Sequence, residues 1–146
     1  MSTTVHTLIV RSHSERDPRA TGLLADAHAL GLTQLTNLEV NDLFFIEGDI
    51  APQDLRRLAA ELLSDPIAHA CQWRTVDGVD SFPGHVIETA LRPGVTDPVA
   101  DQIVRCARLI GVNGVERAAT GQRFIVHGDL DQADLQTLAK RLFAND

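Results

Sequence analysis

The hydrophobic pattern of this chain changes period several times, and each change marks an element. Apolar and β-branched residues crowd positions 5–12 (VHTLIVRS) and 85–92 (HVIETALR), as strands require. Helical spacing follows in Ala20, Leu23, Leu24, Ala27 and Leu30, and again in Val99, Ile103, Ala107 and Ile110. Asp17-Pro18 and Asp97-Pro98 open these helices. The Asp carboxylate can accept an otherwise unpaired backbone N–H, and the missing N–H of proline costs nothing at the first helical position. Gly31 and Gly111 then stand where a left-handed helix end is expected.

Strand character returns over 35–40 and 115–119, and again over 43–47 and 123–127. Asn41-Asp42 and Gly121-Gln122 separate these pairs, and Asn and Gly tolerate the positive φ of a tight hairpin. The pattern therefore predicts two strands and a turn in each place. Gly48-Asp49 and Gly128-Asp129 end the second strand. A further helix carries Leu55, Leu58 and Leu62, and its counterpart Leu135, Leu138 and Leu142. Pro52 starts the first of these; Asp131 caps the second, with Asp134 favourable in its first turn. Residues 67–74 are a last strand candidate.

These parallels reflect a duplication. Sliding the chain by 80 residues aligns 17–65 with 97–145 without a gap, with 13 identities in 49 positions. Shared helix periodicity alone could match leucines, but not Asp-Pro, Gly and Gly-Asp punctuation at one offset. The first copy reads β-α-β-β-α-β, the ferredoxin-like order, and the second reads the same without its final strand. The expected architecture is thus α+β, a tandem duplication forming a pseudodimer: 1–74 the first repeat, 75–84 a linker, 85–146 the second. The unfinished second copy predicts the front piece of a longer protein.

Composition narrows the function. With 44% hydrophobic and 23% charged residues among 146, the chain has material for a real core. The net charge of −7 argues against a broad footprint for nucleic acid or anionic lipid. No apolar stretch approaches the roughly 20 residues of a membrane helix, and no signal peptide is visible. Cys71 and Cys106 do not make a disulfide framework, so the expected setting is cytoplasmic, with reduced thiols.

No catalytic signature stands out: there is no G-x-S-x-G, P-loop, H-E-x-x-H or Cys pair at metal spacing. The six histidines (His6, His13, His28, His69, His85, His127) form no i, i+4 pair, so no metal site is assigned. Cys71 with His69 two residues before it lacks an orienting third group for nucleophilic catalysis. Neither a cofactor nor a catalytic residue is assigned. Arg92, at a strand end before Pro93-Gly94, could present a guanidinium to an anion beside a helix N-terminus, although Asp97 puts negative charge there. Arg117 and Arg123 flank the second expected turn, where a partner could dock. Candidate contacts are therefore Arg92, Gly94, Gly121 and Arg123.

The string Leu91-Arg92-Pro93-Gly94-Val95-Thr96-Asp97-Pro98, with a helix running to Gly111, resembles the opening of the small PurS-type subunit of phosphoribosylformylglycinamidine synthase. Val115, Ala118 and Gly121 match its next segment, with Gln122 where lysine is usual, and Lys140-Arg141-Leu142-Phe143-Ala144-Asn145 echoes its closing pattern. The likeness is good over 87–145 and looser over 7–74, where His13-Ser14 replaces Pro-Gly and Asn41 the hairpin glycine. The resemblance implies a non-catalytic scaffold of de novo purine biosynthesis. It would bridge the ATP-using synthetase and the glutaminase so that glutamine-derived ammonia reaches its substrate. The implied partners are a synthetase domain of the same polypeptide and a glutaminase domain or subunit; a homodimer of the chain alone is left open. A regulatory module of ACT-like type binding a small metabolite is the alternative. A small acyl-phosphate hydrolase is a weaker rival, because 12–16 make a poor phosphate loop.

Overall fold

A computed structural model describes residues 4–12, 17–64, 69–74, 84–90 and 97–143. The chain is α+β. Its elements are β1 (Val5–Ser12), α1 (Pro18–Ala29), β2 (Leu35–Gly48), α2 (Pro52–Arg57), β3 (His69–Trp73), β4 (His85–Ala90), α3 (Pro98–Leu109), β5 (Val115–Gly128) and α4 (Gln132–Leu138). Strand neighbours run in the order β3-β1-β2-β5-β4. β1 is antiparallel to β2, from Val5 opposite Glu47 to Val10 opposite Asp42, and to β3, from Leu8 opposite Trp73 to Ser12 opposite His69.

Local chemistry places the helix ends where the sequence puts them. Asp17 accepts from the Arg19 N–H, Asp97 from the Ala100 N–H, and Asp131 from the Asp134 N–H in a reciprocal capping box. Gly31 and Gly111 close α1 and α3 at φ of +96° and +83°. α2 and α4 do not end as α-helices. Each passes into a wider turn with five-residue hydrogen-bond spacing, over Leu58–Leu63 and Ala139–Phe143.

The hairpins do not form. β2 and β5 are single strands of 14 residues that run straight through Asn41-Asp42 and Gly121-Gln122. Gly121 is not among the positive-φ glycines, and no other residue type takes a positive φ among the described residues. The reason lies in the phase of the pattern. Leu38, Val40, Phe44 and Ile46 keep one parity across the expected turn, so an uninterrupted strand keeps all four on one face. Two helix-face assignments also change: Leu30 is 41% and Val99 52% exposed, whereas Ala100 is buried. The strand expected over 67–74 is β3, which ends at Trp73; its positions 67–68 lie outside the described residues, as do positions 91–92 of the strand expected over 85–92 and most of the linker.

The chain divides into two compact units that cut across the repeats. Unit one is Met1–His13, Asp42–Gly78 and Ala90–Gly121; unit two is Ser14–Asn41, Val79–Thr89 and Gln122–Asp146. Unit one is built on Leu8 and Val10 of β1, Ile46 of β2, Leu58, Ala59 and Leu63 after α2, and Ile103 and Ala107 of α3. Unit two is built on Ala27 of α1, Leu35, Leu38 and Val40 of β2, Phe124 and Val126 of β5, and Leu138 and Phe143. Phe124 and Phe143 stack there with ring centres 4.0 Å apart. In each unit the first helix of one repeat packs with the second helix of the other. Each core thus needs both halves of the sequence.

Candidate functional site

The sequence singles out the start of α3 and the middle of β5, and in unit one these two places meet through Asp97. One carboxylate oxygen accepts from the Ala100 N–H at 3.0 Å, capping α3. The other accepts from the Thr120 N–H at 3.0 Å and from the Thr120 hydroxyl at 2.8 Å. Partial burial pushes the Asp97 carboxyl up, but the donors from Ala100, Thr120 and Val99 outweigh it and hold it below its usual range. Asp97 therefore fixes the helix start to the strand, and its negative charge is fully engaged by protein donors. Among the described residues, it is the Asp97 carboxylate that occupies the cap of α3.

In unit two the equivalent Asp17 takes a different partner. It accepts from the Arg19 N–H at 3.0 Å and pairs with the Arg19 guanidinium at 3.1 Å. Burial again raises its carboxyl, and the Arg19 hydrogen bonds and charge lower it further than burial lifts it.

Of the four candidate contact residues, Arg92 and Gly94 lie outside the described residues. Gly121 and Arg123 sit within β5, not on a turn, and Arg123 is only 1% exposed. Its guanidinium is a buried feature of unit two. Arg117 lies on an open cleft of about 460 Å³ between α3 and the start of β5, with Ala100, Asp101, Val104, Arg105 and Glu116. The lining carries two acids and two bases, so the cleft has mixed charge and no net field for a charged metabolite.

Residues that pattern reading did not select also organise unit one. The Arg57 guanidinium donates to the Ile110 carbonyl at the end of α3 and pairs with Glu61 at 3.0 Å. The Trp73 indole N–H donates to the Leu55 carbonyl at 3.2 Å, and its ring meets His6 edge-on at 6.3 Å. The Arg57–Glu61 pair has the i, i+4 spacing of a helix, but the contacts of Arg57 with Ile110 and of Trp73 with Leu55 and His6 join residues far apart in sequence, where no local signal could have found them. Cys71 is exposed and accepts at 3.7 Å from the Ser64 hydroxyl, a donor that cannot serve a thiol as a base. Among the described residues no group of three or more His, Cys, Asp or Glu side chains gathers at metal-binding distance, and no helix is long and apolar enough to cross a membrane. No protein-family model and no curated protein matches the chain.

Proposed function

We propose that the chain is a PurS-like scaffold domain of phosphoribosylformylglycinamidine synthase, a cytoplasmic module that positions the synthetase and glutaminase for ammonia transfer and turns over nothing itself. The observation that carries this reading is the exchange of helices between repeats. In unit one, the strand order β3-β1-β2-β5 with α3 and α2 supports reading it as a ferredoxin-like unit completed by the other repeat. A duplicated chain that assembles this way is a covalent version of a two-subunit scaffold, consistent with the likeness over 87–145.

The Asp97–Thr120 lock supports the same reading. It gives Asp97 of the motif an architectural role, holding the start of α3 against β5. Reconstitution of the amidotransferase from synthetase and glutaminase parts, with and without this chain, tests the proposal. The expected result is loss of glutamine-dependent turnover with ammonia-dependent turnover retained. Unchanged glutamine-dependent activity in its absence sinks the reading. A metabolite that raises the melting temperature of the isolated chain in a saturable way would favour the ACT-like alternative.

A further inference from the structure

The contacts between the two repeats come in reciprocal pairs. In unit one, Gly48 at the end of β2 lies against the Gly114 carbonyl just ahead of β5. In unit two, Gly128 at the end of β5 lies against the Gln34 carbonyl just ahead of β2. At the 80-residue offset Gly48 becomes Gly128 and Gln34 becomes Gly114, so each contact is the other with the repeats interchanged. The helices follow the same rule. The wider turn Leu58–Leu63 packs with α3, and its equivalent Ala139–Phe143 packs with α1. A surface that meets its own equivalent in this way is isologous, the interface type of a twofold dimer.

Such an interface does not require its two halves to belong to one chain. Among the described residues, both cores are built from before residue 75 and after residue 84. Pairing the first repeat of one copy with the second repeat of another keeps every one of these contacts. It changes only the path of 75–84, which joins β3 and β4 at the two ends of the strand order. Pairing within a chain is then favoured by proximity, and a link this short supplies an effective concentration on the order of millimolar.

We infer that a second copy of this chain is a partner for it, the two copies exchanging repeats so that the first repeat of each pairs with the second repeat of the other. A unit one of that dimer takes β1, α2 and β3 from one copy and α3 from the other, and the bond from the Arg57 guanidinium to the Ile110 carbonyl runs between copies. In unit two the bond from the Thr36 hydroxyl to the His127 carbonyl does the same. The dimer forms where chain concentration approaches the effective concentration of the link, about millimolar, and shortening the link moves the balance toward exchange. The inference stands on the duplication and the shared cores and does not depend on the amidotransferase reading.

The test uses the full 146-residue chain, unfolded in urea and refolded at about 10 μM and at about 1 mM, with mass read by light scattering after chromatography. The expected result is monomer at the lower concentration and a substantial dimer fraction at the higher one. A chain lacking Val76–Ser81 is expected to be a dimer, or a larger closed assembly, at about 10 μM as well. Exchange itself is read by refolding copies labelled on nitrogen together with copies labelled on carbon. Filtered NOEs are expected between β2 of one label and β5 of the other, since these strands are neighbours from different repeats. Three results overturn the proposal. One is a full-length chain that stays monomeric after refolding at about 1 mM. Another is a dimer whose β2–β5 NOEs stay within each label, which assigns association to an outer surface. The third is a shortened chain that folds as a monomer, or stays unfolded, at the concentration where the full-length chain dimerises.

Discussion

Asp97 shows how much one side chain can join. It caps α3 and accepts two bonds from Thr120, so Asp97→Ala removes a cap and leaves a half-buried hydroxyl and amide short of an acceptor. The expected cost is about 1–3 kcal/mol in a urea titration, with Asn in place of Asp recovering part of it. Asp17→Ala, whose partner Arg19 is exposed, is expected to cost about 1 kcal/mol or less. Both carboxyls are held below their unfolded value of 3.8, so the stabilisation they give is complete above that pH. It is lost as pH falls through the lower, folded-state value. Stability measured from pH 5 downward is therefore expected to drop, and the drop is expected to shrink in the Asp97→Asn variant.

Among elements, the long strands β2 and β5 carry the most information. Gly48 and Gly128 end them at positive φ, and a Cβ at Gly48 would lie 1.8 Å from the Gly114 carbonyl oxygen. One at Gly128 would lie 2.1 Å from the Gln34 carbonyl oxygen. Neither obstacle is a side chain that can swing aside. Gly48→Ala and Gly128→Ala are each expected to destabilise by at least about 2 kcal/mol in thermal or urea unfolding, whereas Gly22→Ala in exposed α1, with open space at its Cβ, is expected to stabilise slightly. Asn41 teaches the complementary lesson. Turn-forming residue types argue for a hairpin there, but Asn41 is buried in β2, its side-chain N–H donating to Glu39 at 3.3 Å. Apolar parity on either side of Asn41-Asp42 was the better guide, because burying one continuous face outweighs a local turn preference.

For the molecule as a whole, the repeats in sequence and the compact units are different divisions of one chain. Each core draws on residues before 75 and after 84, so fragments 1–74 and 85–146 are each expected to be unfolded alone. Mixed, they are expected to regain the circular dichroism and unfolding cooperativity of the intact chain. Two fragments that fold separately, as monomers, would mean that the cores are not shared in solution.

Much of this was written locally. The strand over Val5–Ser12, the caps at Asp17, Asp97 and Asp131, and the left-handed closures at Gly31 and Gly111 follow from short-range chemistry, and the duplication follows from comparing the chain with itself. Tertiary structure alone decided which helix packs on which strand, that Arg123 is buried, that Thr120 completes Asp97, and that β3 takes its place beside β1. The physical reason is one of range. Caps and turns are settled by hydrogen bonds within about four residues, whereas two copies with nearly the same apolar stripes suit one another's strands as well as their own. Only the summed burial of both cores chooses between these pairings.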